Sequence, residues 1–363
     1  MARSPGTPPR PDRARSLRIV LIASARYPIR QPFPGGLEAH TWQLASHLRA
    51  RGHAVEVFGG PGSDPALRVR VLDTRPALSE HARADTSMPA GHFMAEHHAY
   101  LGVMLELARD GGYDVVHNNS LHYLPVAMAA NLLAPVLTTL HTPPTPWLES
   151  AIALGPAGHF AAVSAHTADQ WRAGVPAATV IHNGVDLDMW TPGPGGGVPV
   201  WSGRLVPEKG PEDAIHAARR AGRGLRLAGP IPDTRYYRER VRPLLGDGVE
   251  YVGHLAHRDL AALVGSAAVA VVSPCWDEPY GLVVAEALAC GTPVAGYARG
   301  ALPELLDDHT GVLVDPGDVD GLAAAITRAA ALDRERVRAH AERTCSLDAM
   351  VDGYERLYRE LAP

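Results

Sequence analysis

The stretch that most constrains the fold of this chain spans residues 273–296 and reads SPCWDEPYGLVVAEALACGTPVAG. The apolar run AAVAVVSP leads into it and is typical of a strand buried in a parallel sheet. The run LVVAEALAC within it consists of good helix formers and contains no glycine or proline. A Gly-Thr-Pro stop then leads into a second short apolar run. The stretch therefore predicts a strand, a loop, a helix and another strand.

Two carboxylates flank the start of this predicted helix. Glu278 lies in the loop, and Glu286 lies along the helix on roughly the same face. Between them, the free N–H groups of the helix N-terminus favour a bound anion, with the helix dipole behind them. The sequence thus predicts a site where a phosphate binds at the helix tip while the carboxylates accept hydrogen bonds from hydroxyls. A sugar nucleotide offers both kinds of group.

Length and composition limit the classes of protein that fit. The chain of 363 residues is long enough for two or three domains of ~100–200 residues each. The net charge of -5 gives no reason to expect nucleic acid as a partner. Three cysteines, none in a C-x-x-C pair, argue against a disulfide framework and fit a reducing, cytoplasmic setting.

Two features bear on targeting. Residues 1–16 are basic and proline-rich without an apolar segment, so we expect a disordered tail rather than a secretory signal. No apolar run approaches the ~20 residues of a membrane span, which leaves only peripheral membrane contact open.

The first half of the chain has the pattern of a Rossmann-like unit. A strand over residues 17–24, a loop and a helix ending near Gly52 are followed by a strand over residues 54–60. The strict G-x-G-x-x-G pattern of dinucleotide sites is absent. Gly35 and Gly36 stand where the helix begins and suit a close approach of the backbone to a ligand.

Polar residues end two further predicted strands of this half. His117 and Asn118 end one strand, and His141 ends another. Open parallel sheets bind ligands at the carboxyl ends of their strands, so we expect these residues near the site. We predict that His117, the pair Asn118 and Asn119 and, further along the chain, Trp147 contact an acceptor.

The second half begins with a pair of cations. Arg204 and Lys209 lie in a loop between a predicted strand and helix, where they suit a diphosphate, with the arginine able to bind it as a fork. The run of prolines and glycines at residues 192–199 marks the boundary between the two halves. A last amphipathic helix is predicted near residues 347–361.

Longer motifs carry a resemblance to a known family. The run E-P-Y-G-L-V-V-A-E-A-L-A-C-G-T-P-V-A-G, with S-G-R-L-V-P-E-K-G, P-G-G-L-E-A-H, T-L-H-T and N-G-V-D, resembles the family-four retaining glycosyltransferases of the GT-B fold, of actinobacterial type. The resemblance implies an α/β fold of two Rossmann-like, doubly wound domains facing a central cleft. It implies an acceptor domain at 17–190, a nucleotide-sugar domain at 198–345, and a C-terminal helix within 346–363 that crosses back to the first domain.

The resemblance also implies roles for single residues. Glu278 would bind hydroxyls of the donor sugar, Glu286 the ribose, and His141 would orient the sugar. Arg204 and Lys209 would stabilise charge on the departing diphosphate. Further residues implied to bind the donor are Gly35, Gly36, Gly253, His254, Tyr280, Gly281, Leu282 and Val283. The implied activity is a retaining, hexosyl-type transfer from a nucleotide-diphosphate sugar to an acceptor hydroxyl.

Patterns that invite a metal site have simpler explanations. The D-L-D at residues 186–188 sits at the hinge, and the D-V-D at residues 318–320 sits at a helix start, where Asp is a common cap. His92, His97 and His98 do not fall at the i, i+4 spacing of a helical metal pair, and no cysteine joins them. With two cations and a helix N-terminus available, we expect neither a metal nor another cofactor.

Two other functions stay open. A nucleotide-sugar epimerase of the same fold would consume the donor without an acceptor. A non-catalytic sugar-nucleotide binding protein would bind without forming product, although the presence of both cations and both carboxylates argues against it. The acceptor, a small molecule such as a secondary metabolite or sugar, or a lipid, is not specified by the motifs. Pro279 and Tyr280 stand where the family more often has Gly-Phe, and Trp276 and Asp277 are expected to shape the sugar pocket.

Overall fold

The computed structural model describes residues 15–87, 91–155 and 157–362, so most of the predicted N-terminal tail lies outside the described residues. Two parallel sheets, each with its own helices, organise the chain. Within the part of the chain that is described, no helix has the length and apolar character needed to cross a bilayer.

The first sheet has seven strands in the order β3-β2-β1-β4-β5-β6-β7. They are β1 (Arg18–Ile22), β2 (Ala54–Gly59), β3 (Arg70–Val71), β4 (Val115–Asn118), β5 (Val136–Leu140), β6 (His159–Ala162) and β7 (Thr179–Val180). Successive residues of β1 enter different cores, Ile19 and Leu21 on one face and Val20 and Ile22 on the other. Burial on both faces explains why the strand reads as an unbroken apolar run.

The helices that cover this sheet are α1 (Gly36–Ala50), α2 (Glu80–Arg83), α3 (Gly91–Leu107), α4 (Leu124–Ala127), α5 (Pro146–Ala153) and α6 (Ala165–Trp171). Helix α1 stops just before Gly52, whose φ of +91° favours glycine and fits the predicted helix end. The Ser164 hydroxyl accepts a hydrogen bond from the Thr167 amide and so caps the N-terminus of α6.

The second sheet has six strands in the order β10-β9-β8-β11-β12-β13. They are β8 (Val200–Ser202), β9 (Leu225–Ala228), β10 (Val249–Gly253), β11 (Ala270–Val272), β12 (Val294–Tyr297) and β13 (Gly311–Val314). Its helices are α7 (Pro211–Arg220), α8 (Thr234–Tyr236), α9 (His257–Ser266), α10 (Leu282–Ala289), α11 (Leu302–Leu305), α12 (Val319–Ala329) and α13 (Arg334–Thr344).

The last helix, α14 (Leu347–Leu361), packs on the first sheet although it follows the second. Tyr354 and Tyr358 are buried in the same core as Ile19 of β1 and Leu44 of α1. Arg51, just after α1, forms ion pairs with three acidic side chains of this helix, Asp348, Asp352 and Glu355. This helix therefore ties the end of the chain to its beginning.

Each sheet reverses its strand order once, between β1 and β4 in the first and between β8 and β11 in the second. Loops leaving neighbouring strands at such a point run in opposite directions and open a crevice at the carboxyl ends of the strands. The two crevices face each other, and their loops line a shared cleft.

Candidate active site

The cleft between the two sheets encloses a cavity of about 390 Å³. Residues from both halves of the chain line it, including Gly35, Gly36, Glu38, His141, Arg204, Lys209, Trp276, Glu278, Tyr280, Gly281, Leu282, Val283 and Glu286. The two predicted cations and the two predicted carboxylates therefore lie around one cavity, although up to 82 positions separate them along the chain (Arg204 to Glu286).

The loop between β11 and α10 holds its shape through glycine. Gly281 stands at the N-cap of α10 with a φ of +97°, and Gly300 has a φ of +63°. A Cβ on Gly300 would lie 2.2 Å from the carbonyl oxygen of Glu278, which also accepts a hydrogen bond of 2.8 Å from the Ala301 amide. Only glycine permits this close approach, and the approach sets the position of Glu278.

The side chain of Glu278 is held by two donors on one oxygen. Lys209 Nζ lies 2.5 Å from Oε2, and Trp276 Nε1 donates to the same oxygen at 3.1 Å. The lysine ammonium also lies 5.0 Å from the centroid of the Trp276 ring, within range of a cation–π contact. Both hydrogen bonds to the Glu278 side chain from the described part of the chain use Oε2. Its Oε1 is therefore available to a ligand hydroxyl.

The loop that carries the cations interlocks with the loop that carries Glu278. The Ser273 hydroxyl donates to the Gly210 carbonyl at 2.7 Å, and the Cys275 amide donates to the Glu208 carbonyl at 2.8 Å. A Cβ on Gly210, whose φ is +62°, would lie 1.9 Å from the Ser273 carbonyl oxygen. This contact fixes Lys209, which is the only lysine in the chain, beside the acidic loop.

Glu286 reaches the cavity from within α10. Its side chain is buried, and burial raises its pKa to about 8. The carboxyl therefore holds its proton near neutral pH in this structure. A ligand that donates hydroxyl hydrogen bonds to it would favour its ionised form.

His141 follows β5 and reaches the cavity from the first sheet. Its Nε2 lies 2.9 Å from Asn119 Oδ1, and its ring meets that of His40 edge-on at a centroid distance of 4.9 Å. Burial is the main cause that holds the pKa of His141 well below the ordinary range, and the nearby His40 and His117 lower it further. The imidazole is therefore neutral and can exchange hydrogen bonds with a sugar hydroxyl.

The two halves of the chain touch across the cavity. Gly36 begins α1 opposite the tip of α10, and a Cβ there would lie 2.8 Å from Leu282 Cδ1. The His254 ring nitrogen Nε2 lies 3.0 Å from the Phe33 carbonyl oxygen. Two helix N-termini thus face the same space, which suits an anionic ligand.

Two predicted acceptor contacts are wrong. His117 is fully buried, with Nδ1 2.6 Å from the Tyr358 hydroxyl and Nε2 2.7 Å from Thr139 Oγ1. Asn118 is also fully buried and accepts a hydrogen bond from the Ser120 hydroxyl. β4 is central in its sheet, so both of its faces are buried: His117 lies on the face that α14 covers, and Asn118 lies on the opposite face. Asn119, the other member of the predicted pair, is also buried and is the hydrogen-bond partner of His141. Trp147 does not line the cavity.

One cavity residue escaped the sequence prediction. Glu38 lies in the first turn of α1, and burial raises its pKa, although Arg204 across the cleft opposes that rise. Glu38 stands within the P-G-G-L-E-A-H motif, which was the available signal.

Asp318 caps α12, and Asp186 stabilises a turn at the hinge. Asp318 Oδ1 accepts from the Gly321 amide at 2.8 Å, and Asp186 Oδ1 accepts from the amides of Asp188 and Met189. Across residues 15–87, 91–155 and 157–362, no group of three or more His, Cys, Asp or Glu side chains is arranged to hold a metal ion.

Comparison with known proteins identifies the family. The model of Glycosyltransferase Family 4 matches residues 34–189, and that of Glycosyl transferases group 1 matches residues 197–344. Glycogen synthase of Mycobacterium tuberculosis is 30% identical over 85% of this chain and 84% of its own length. The chain belongs to the family-four glycosyltransferases. A D-inositol 3-phosphate glycosyltransferase of Mycobacterium avium is 28% identical over 94% of this chain and 95% of its own.

Solved structures confirm the predicted GT-B fold. Sucrose-phosphate synthase from Thermosynechococcus elongatus superposes with a TM-score of 0.75 at 24% identity, covering 95% of this chain and 99% of its own. The Anabaena protein HepE in complex with UDP-glucose superposes with a TM-score of 0.75 at 18% identity. The superposition covers 95% of this chain and 100% of the HepE chain. The predicted enzyme class, glycosyltransferase, is confirmed by the family.

Proposed function

We propose that this glycosyltransferase moves a hexose from a nucleotide-diphosphate sugar to an acceptor hydroxyl and retains the anomeric configuration. The observation that carries the proposal is the gathering of Arg204, Lys209, Glu278 and Glu286 around one cavity at the tip of α10. Cations and free amides match a diphosphate, and carboxylates match the hydroxyls of the two sugars.

The donor would lie with its ribose against Glu286 and its diphosphate at the tip of α10, between Arg204 and Lys209. Glu278 would bind a hydroxyl of the hexose through Oε1, since Oε2 is engaged by Lys209 and Trp276. The neutral ring of His141 would orient the hexose from the opposite domain. Each group in this arrangement is already held in place, so little reorganisation is needed as charge develops.

In the reaction, the bond between the anomeric carbon and the diphosphate oxygen breaks, and a bond to the acceptor oxygen forms on the same face. The acceptor proton passes to an oxygen of the departing phosphate. We assign Glu278 no nucleophilic role, because Lys209 and Trp276 engage its Oε2 and the proposed donor pose uses its Oε1 for a hexose hydroxyl. Two cations and a helix N-terminus can stabilise the leaving group, and we therefore propose a reaction that needs no metal.

A donor screen tests this proposal. UDP-, GDP-, ADP- and dTDP-glucose are each incubated with the protein, with and without candidate acceptors, and release of nucleoside diphosphate is measured before and after EDTA treatment. NMR of the product gives the anomeric configuration. We expect acceptor-dependent release and an unchanged configuration. Donor conversion without any acceptor would instead identify an epimerase, and binding without turnover would identify a binding protein.

Matched variants test the assignment of the cation. Lys209→Ala should lower kcat by about 10²–10³-fold, because it removes one fixed stabiliser of the leaving group. Arg235→Ala removes an exposed cation of the same domain, which pairs with Glu239 in the same helical segment, and should retain wild-type turnover. Equal rates for both variants would contradict the assignment.

A further inference from the structure

A group of aromatic rings lies on the first domain outside the cavity. Trp147 of α5 stacks on Tyr123 at a centroid distance of 5.6 Å and an interplanar angle of 26°, and it contacts Phe93 of α3 at 5.1 Å. His97, one turn after Phe93, lies with Nδ1 2.9 Å from the Tyr123 hydroxyl. We call Phe93, His97, Tyr123 and Trp147 the aromatic platform. Trp147 is 60% exposed, so much of its indole surface is open to solvent.

Packing alone does not account for this exposure. Tyr100 and Trp171 of the same domain are buried, and Tyr27, at 42%, is less exposed than Trp147. Trp147 instead lies on top of rings that are themselves only partly buried, and it holds a broad apolar surface in water. An exposed apolar surface with fixed polar groups beside it is characteristic of a binding site.

The platform borders the cleft. Leu121 lines the cavity two residues before Tyr123, and Thr142 lines it five residues before Trp147. The Trp171 indole donates to the Thr142 carbonyl at 2.8 Å and so fixes the start of that connection. Both connections leave neighbouring strands, β4 and β5, at their carboxyl ends, which is where the cavity lies.

Charged groups lie at the same edge of the cavity, which we call its rim. Arg26 lines the cavity and forms an ion pair of 2.9 Å with Glu96, which stands three residues after Phe93 on α3. Arg26 is 64% exposed at its side chain. The rim therefore offers an apolar ring surface together with hydrogen-bonding groups.

Building on the transferase function proposed above, we propose that the acceptor is a glycoside or oligosaccharide. One of its sugar rings stacks on Trp147, while another presents the attacking hydroxyl inside the cleft. A sugar ring has an apolar C–H face for the indole and hydroxyls at its edge for Arg26 and Glu96. A wholly apolar aglycone or a lipid chain would instead remove water from these charges without replacing their hydrogen bonds.

A lipid bilayer is the competing ligand for this surface. Exposed leucines near the platform distinguish a bilayer from a sugar ring. Leu154, at the end of α5, is 86% exposed, and Leu133 is 79% exposed. A bilayer would engage these leucines together with Trp147, whereas a sugar ring would use the aromatic platform and not Leu154.

The experiment compares Trp147→Ala, Trp147→Phe and the control Leu154→Ala by saturation-transfer difference NMR. The probes are glucose, mannose and galactose with their α-linked di- and trisaccharides. In the wild type we expect at least one trisaccharide to bind about tenfold more tightly than its monosaccharide. The ratio of trisaccharide affinity to monosaccharide affinity should fall to about one in Trp147→Ala. It should be largely restored in Trp147→Phe and unchanged in Leu154→Ala. Melting temperatures show whether each variant is folded.

Three results would overturn the inference. They are the absence of binding by any saccharide of the panel, a ratio that Trp147→Ala leaves unchanged, and flotation with phosphatidylcholine–phosphatidylglycerol vesicles that Trp147→Ala and Leu154→Ala weaken equally. Binding of UDP, GDP, ADP or dTDP is measured on the same wild-type sample. If a nucleotide binds and the saccharide result is negative, only this inference fails; if no nucleotide binds, the proposed transferase function fails.

Discussion

Burial of the Glu286 carboxyl should make the stability of this protein depend on pH in a way that one substitution removes. Burial raises its pKa from 4.5 to about 8. Between these values the folded state holds a proton that the unfolded state has released. The free energy of unfolding therefore falls as pH rises through this window, and Glu286→Gln, which cannot titrate, should lack that decline.

The size of the effect follows from proton linkage. Within the window each pH unit changes the free energy of unfolding by about 1.4 kcal/mol. Between pH 5 and pH 7 the wild type should therefore lose about 2–3 kcal/mol relative to Glu286→Gln. The pH dependence of all other groups cancels in this difference.

Urea unfolding followed by circular dichroism, for both proteins at both pH values, measures this quantity. Glu239→Gln changes a more exposed glutamate of the same domain and serves as the control. Because it keeps Glu286, its free energy of unfolding should decline as in wild type, so its difference from wild type should be equal at the two pH values. The reasoning is refuted if wild type and Glu286→Gln differ by the same amount at pH 5 and pH 7. That result would mean that the carboxyl is already ionised in the folded protein.

Two further substitutions test how the site and the core are held. Gly300→Ala places a Cβ 2.2 Å from the Glu278 carbonyl oxygen at a φ of +63°, so steady-state kinetics should show a loss of turnover. Gly317→Ala, at a φ of +82° with open space around it, is the control and should retain turnover. Tyr358→Phe leaves the buried Nδ1 of His117 without its partner and should lower the free energy of unfolding by about 1–3 kcal/mol in urea. Equal stability of Tyr358→Phe and wild type would contradict the buried contact.

Local patterns predicted the parts of the fold that depend on local chemistry. The strand, loop and helix around Glu278 follow from an apolar run, a glycine at a positive φ and a run of helix formers. The last helix was predicted at residues 347–361, and α14 has the same bounds, because its apolar face recurs with a helical period.

Contacts between distant parts of the chain could not be predicted in this way. His117 was assigned to the site because it ends a strand, but its partner Tyr358 lies 241 positions further on. The same limit applies to the pairing of Lys209 with Glu278, 69 positions apart, for which family resemblance rather than spacing supplied the expectation. Glycine at position 300 sets the position of Glu278 from outside its own loop, and no local pattern indicated it.

The central claim is that Lys209 contacts the diphosphate of a nucleotide sugar, and a single NMR signal can test it. Because Lys209 is the only lysine, reductive methylation with ¹³C-formaldehyde labels one side chain besides the N-terminal amine. UDP, GDP, ADP and dTDP are added in turn, each beside its monophosphate. The lysine signal should shift with at least one diphosphate and much less with the matching monophosphate. An unmoved signal while calorimetry shows the diphosphate bound would contradict the claim.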